Sequence, residues 1–378
     1  MSVSDSSLTT ALQRGQELRR LMFDPLLPAL GDATRVIFAL DDELHLVPLE
    51  ALPLDMAADG LRSEPQLLGE RWRIETRTTI GELVLRQSPS VRGANELIAI
   101  GGASFNSEGL GLSADETAAV EETPRTPDKV SILMRGGAWS RGFSPLPYTG
   151  MEARGVAQLH EEVFEDAGAR QVLEKRQASR EALEEVALRA RWLHIATHGW
   201  FAPESIRSWV DAEPVDKKTG LGVRLSGEEQ VRGLSPMLLC GLAFAGANLP
   251  ENAVGRVPGL VTAQELSSFD LTNCELVVLS ACDTNVGERR AGQGVASLQK
   301  ALQMAGARSV ITSLWKVPDE ATKELMLDFY RRLWVERKPK GQALWEAKMR
   351  LRDAKDERGE PMYTLRDWAA WVLTGDPR

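Results

Sequence analysis

Four short apolar runs constrain this chain more than any other feature: Leu97–Ile100, Trp192–Ala196, Leu276–Leu279 and Ser309–Leu314. Each is rich in β-branched or bulky residues and breaks off into polar or glycine-containing chain. Such runs read as strands buried on both faces of a parallel sheet. Helical stripes lie between and after them. Val156, Leu159 and Val163 share one helix face, and Leu183, Val186 and Ala190 follow a Ser179 N-cap. Val295, Leu298, Ala301 and Leu302 mark a helix that stops at Gly306, and Leu325, Met326, Phe329 and Leu333 mark the next. Alternation of this kind predicts an α/β fold, whose chemistry sits at the C-terminal ends of the strands.

Two of these strand ends carry reactive side chains. The Leu276 run continues through Ser280 and Ala281 into Cys282, and the Trp192 run continues through Thr197 into His198. If the strands are parallel neighbours, thiol and imidazole emerge at one edge. A free thiol is only a few per cent thiolate at neutral pH, so a nearby imidazole supplies the base it lacks. Gly199 allows a ligand to approach the backbone closely and offers an unobstructed N–H. A lone cysteine is usually a buried structural residue. Cys240 and Cys274 read that way, as does His194 inside its strand, but strand-end position and the paired histidine set Cys282 apart.

Length and charge exclude other classes. With 378 residues the chain can bury a sizeable core, and 45 basic against 54 acidic residues leave a net charge of −9, which disfavours direct nucleic-acid binding. The three cysteines form neither a zinc pattern nor a disulfide framework, so reduced thiols and a cytoplasmic location are expected, with no metal or other cofactor. No signal peptide or membrane span is visible. The glycines after Ile100 lack a Gly-Lys-Ser/Thr ending and are not a phosphate loop. Near the start, a helix through Leu12, Leu18 and Met22 precedes strands at 35–40, 44–49 and 72–78, the last half-exposed by its alternation. Residues 123–147 read as a surface loop, 201–233 as a lid or a solvated insertion, and 287–294 as a mobile loop.

Three blocks then carry a family resemblance: Ala196-Thr197-His198-Gly199, Leu279-Ser280-Ala281-Cys282-Asp283-Thr284, and Ser313-Leu314-Trp315-Lys316-Val317-Pro318-Asp319. They resemble the signature blocks of CHAT domains, caspase-like cysteine peptidases related to separase. Phe38 to Leu52 resembles the N-terminal block of that family, and Trp368 to Asp376 its closing segment. The resemblance implies a caspase-like α/β/α sandwich with a mainly parallel central sheet. A smaller N-terminal α/β subdomain (1–94) would precede the catalytic domain (95–378), with insertions at about 103–147 and 202–233. It further implies His198 as general base, Cys282 as nucleophile, and an oxyanion hole from the Gly199 and Cys282 N–H groups.

Caspase-type specificity for aspartate does not carry over, because Ser280 and Asp283 stand where caspases have Gln and Arg. Candidate substrate-binding residues are Asp319, Trp315, Asp283 and Ser280. Asp319 either faces a basic side chain before the scissile bond or simply favours the dipole of the helix it begins. The expected partner is a protein or peptide substrate, with a regulatory or repeat-protein partner as activator. Helical repeats that often precede CHAT domains are not visible, so the chain reads as a stand-alone version or an excised catalytic part. By analogy with caspases, Arg289-Arg290 is a candidate self-processing site. Two other functions compete: an inert scaffold acting through protein interaction, and a redox-sensing thiol protein, which would need a resolving partner.

Overall fold

Because side chains alternate across a strand, each apolar run feeds two cores. The computed structural model sorts them accordingly. Ile98, Ile100, Leu193, Ile195, Val277 and Leu279 enter one core, and Leu97, Ala99, Trp192, Leu276, Val278 and Ile311 enter the other. The structure describes residues 3–40, 44–45, 47–54, 65–79, 81, 95–106, 142–164, 169–201, 235–250, 252, 257–280 and 288–378, with 3–8 and 288–294 as backbone only.

The strands are β1 (Arg35–Ala39), β2 (Arg73–Arg77), β3 (Leu97–Ala103), β4 (Arg170–Lys175), β5 (Trp192–Ala196), β6 (His198–Phe201), β7 (Cys240–Ala243), β8 (Leu260–Thr262), β9 (Leu276–Ser280), β10 (Ser309–Ser313) and β11 (Trp371–Gly375). The longer helices are α1 (Val3–Met22), α2 (Thr149–Val163), α3 (Arg180–Val186), α4 (Glu288–Met304), α5 (Asp319–Tyr330) and α6 (Lys340–Asp353). Eight strands form one sheet in the order β1-β2-β11-β10-β9-β5-β3-β4, parallel except where β10 meets β11. Helices α3 and α4 cover one face; α2, α5 and α6 cover the other. This is the α/β fold that the strand runs predict, in the α/β/α arrangement that the family resemblance implies. Three antiparallel strands, β6-β7-β8, form a second sheet beside it.

The N-terminal strands join the main sheet through β11, where Thr374 pairs with Thr76, and the same region keeps a small core of its own around Phe23, Leu49, Leu68 and Trp72. Here the structure departs from the sequence reading twice. No strand forms over the described part of 44–49; a 3-10 turn, Leu49–Ala51, follows Pro48, which has no N–H to give to a ladder. And β2 is an interior strand whose buried residues are the charged ones, Glu75 and Arg77. Arg35 donates two hydrogen bonds of 2.7 Å to Glu75, and Arg77 adds one of 2.8 Å, so the carboxylate is compensated.

Residues 288–294 were expected in a mobile loop but belong to α4, which already begins at Glu288. Arg289-Arg290 therefore sits in a helical turn, whereas a peptidase needs extended chain at the cut. The surface-loop reading fails at its described end, since Phe143 is buried; residues 107–141 and 202–234 lie outside the described residues. Among the described residues no helix is long and apolar enough to cross a membrane.

His160 on α2 is fully buried, edge-on to Trp334 and against Phe164, and burial pushes its pKa down to about 4. The unfolded chain protonates first, near the ordinary 6.5. Stability from this residue is therefore complete above pH 6.5 and falls until about pH 4, a loss of about 3 kcal/mol. Urea titrations at pH 7.5 and 4.5 should show that slope in the native protein and a shallower one in His160→Phe. Equal slopes would remove His160 from the account.

Candidate active site

A cleft of about 440 Å³ opens at the C-terminal ends of β5, β9 and β10. Thr197, His198, Ser280 and Ser313 line it from the strand ends, and Glu152, Asp319 and Thr322 from α2 and α5. The register explains why these groups meet. β5 and β9 are parallel neighbours with Ala196 opposite Ser280, and the Ser280 carbonyl accepts a hydrogen bond of 3.3 Å from Thr197 N–H. His198 lies two residues beyond Ala196, and Cys282 two residues beyond Ser280. Cys282 itself and Asp283 fall outside the described residues.

Thr197 fixes the histidine. Its hydroxyl donates to the Ala243 carbonyl, tying the end of β5 to the small sheet, and His198 opens β6 opposite Ala243. The imidazole is buried between Phe105 and Phe143, with ring centroids 5.2 and 5.6 Å away. Its Nε2 lies 2.7 Å from the Ser144 carbonyl oxygen. A carbonyl only accepts, so Nε2 carries the proton. In the neutral ring Nδ1 then keeps its lone pair, the form a general base needs. Gly199 follows in β6 opposite Leu242. Among the described strands β6 is an edge of the small sheet, and alternate N–H groups along an edge point away from the partner strand.

Two carboxylates line the cleft, Glu152 from α2 and Asp319 from α5, together with Lys316. Gly101 and Gly102 let the start of α2 abut β3: a side chain at 101 would strike the Thr149 carbonyl, and Gly102 N–H donates to Thr149 Oγ1 at 2.9 Å. This close approach delivers Glu152, 1% exposed, to the cleft. Glu152 Oε1 lies 3.1 Å from Nε2 of buried His194, whose Nδ1 is 3.3 Å from the Tyr330 hydroxyl. His194 thus remains within the core, as its alternation implied. Asp319 begins α5 half-buried. Burial first, and then the Glu152 carboxylate, hold it above the ordinary aspartate value of 3.8, while Lys316 and His198 pull the other way.

The CHAT domain model matches residues 12–376, which takes in all three blocks and every strand described above. This chain belongs to the CHAT domain family. No curated protein matches it.

Within the CHAT frame, the structure brings His198, Ser280 and Asp319 into one cleft. Trp315 does not join them. It is half-buried beyond β10, donates its indole N–H to the Arg366 carbonyl at 2.7 Å, and packs against both cores. Sequence reasoning missed Ser144, Phe143, Phe105 and Glu152. Three of them lie in or beside stretches that look like loop, and Glu152 looks like any acidic residue in a first helical turn. Cys240 and Cys274 are buried, and burial pushes both thiols up to about 12. Neither is suited to serve as a resolving thiol.

Proposed function

We propose that this CHAT protein is a cysteine endopeptidase using His198 and Cys282. The observation that carries the reading is the protonated Nε2 of His198 on the Ser144 carbonyl, which leaves Nδ1 as a base at the strand edge where Cys282 follows. In the proposed reaction Nδ1 takes the thiol proton and the sulfur attacks the peptide carbonyl. The carbonyl π electrons move onto oxygen, where the Gly199 and Cys282 N–H groups receive the charge. When the tetrahedral adduct collapses, the imidazolium gives its proton to the leaving amine. Water, deprotonated by the same nitrogen, then hydrolyses the thioester and restores the thiol.

Asp319, with Glu152 beside it, makes the cleft a receptor for a basic side chain before the scissile bond. The N-terminal position of Asp319 on α5 also serves the helix dipole, and the two roles are compatible. The experiment is a peptide library incubated with the wild type, Cys282→Ala and His198→Ala. Cleavage that needs both residues and follows arginine or lysine is expected. An inert wild type would favour the scaffold reading, especially if no partner or signal activates it.

Asp319→Asn should lower kcat/KM for basic peptides at least about 30-fold, the cost of leaving a desolvated charge unpaired, with little change for neutral ones. Because the Asp319 pKa is raised, KM for basic peptides should begin to rise at a higher pH on acidification than an ordinary aspartate would allow. A uniform loss across all peptides would return Asp319 to a purely structural role.

A further inference from the structure

The two aromatic rings that hold His198, and the carbonyl that fixes its tautomer, come from chain segments far apart in sequence. Phe105 follows β3, while Phe143 and Ser144 precede α2. Neither segment is part of a sheet ladder. Both are tied to one residue. Asn248 Oδ1 accepts a hydrogen bond of 2.7 Å from Phe143 N–H, and its Nδ2 donates to the Phe143 carbonyl at 2.9 Å, so one amide side chain pairs with both backbone groups of Phe143 as a neighbouring strand would. Nδ2 also donates to Asn106 Oδ1 at 2.6 Å, and the Asn248 backbone N–H donates to the Phe105 carbonyl at 3.0 Å. Gly142 completes the fit: its φ of +75° lies in the left-handed region, and a Cβ there would come within 2.8 Å of Asn248 Oδ1.

We infer that Asn248 is a positioning residue for the histidine, a role that rests on the peptidase reading for its catalytic consequence but not for its geometry. It acts through Ser144 and the two phenylalanines. An imidazole ring rotates about two side-chain bonds, so the direction of its Nδ1 depends on what the ring is held against. A carbonyl held at 2.7 Å and two walls remove that freedom, and they are only as firm as the segments carrying them. Asparagine suits the task because it offers an acceptor and two donors in one plane, which matches the N–H and C=O of a single extended residue and leaves a donor for Asn106. Aspartate keeps the acceptor and loses both donors, so it would set a carboxylate oxygen against two oxygens.

The test uses the full chain with 15N-labelled histidine. Its four histidines give a spectrum simple enough to assign. In the wild type at neutral pH, His198 should appear as the Nε2–H tautomer, with that proton protected from exchange. In Asn248→Ala the protected proton should be lost and the two ring nitrogens should move towards tautomer averaging, while His160 and His194 keep their signals. Where peptide cleavage is measured, kcat should fall about 10- to 100-fold, in line with small misplacements of a catalytic group, with KM within about twofold. Should Asn248→Ala fail to fold, Asn248→Asp gives the same readouts. A folded variant with an unchanged His198 spectrum, or with KM raised and kcat intact, would overturn the proposal. If the wild type cleaves nothing, the peptidase reading fails, and the imidazole spectrum still decides the clamp.

Discussion

His198→Gln is expected to lower kcat/KM for peptide cleavage by about 10²- to 10⁴-fold, the usual contribution of a positioned acid–base group. Glutamine retains an amide N–H for the Ser144 carbonyl, which now accepts from Nε2 at 2.7 Å, but it has no base to offer the thiol. A second readout does not need a known substrate. Cys240 and Cys274 are buried, with thiols pushed up to about 12, so iodoacetamide on the folded protein reports Cys282 alone. With the imidazole present, alkylation at neutral pH should be fast. Without it the thiol has no base beside it to take its proton, and alkylation at pH 7 should slow about tenfold or more. Identical alkylation profiles in the two proteins would mean that imidazole and thiol do not share the strand edge, and the dyad would be withdrawn.

Lys348→Met should cost about 3–5 kcal/mol of stability. Lys348 on α6 is 0% exposed, with Nζ 2.5 Å from Glu50 Oε1 and 2.8 Å from the Trp371 carbonyl. One ammonium thereby joins the N-terminal region to β11, the strand that connects β1 and β2 to the rest of the sheet. Methionine fills the space but leaves Glu50 without its cation. Adding Glu50→Gln should restore part of the loss, because the penalty lies in the orphaned charge more than in the missing attraction. Urea unfolding of the two single variants and the double variant measures this directly. A single-variant loss below about 1 kcal/mol, or a double variant no better than Lys348→Met, would show that the N-terminal strands are held by packing alone.

The sequence by itself determined the sheet and the strand ends that matter. Runs such as Trp192–Ala196 and Leu276–Ser280 have no polar face to turn towards water, so they had to be buried on both sides, and their polar continuations had to emerge at an edge. The expectation failed where charge was buried, as at Glu75 and Arg77, because pairing with Arg35 replaces the hydration that alternation takes for granted. It failed again at 288–294, where glycines and charges suggested loop and the chain is helical. Only the tertiary structure decided how the histidine is set. Ser144 acts through a backbone carbonyl, which every residue possesses, and Asn248 through contacts across 105 and 142 positions of chain. Residue type and spacing encode what a side chain is able to do. Which partner stands 2.7 Å away depends on the packing of segments that carry no periodic signal of their own.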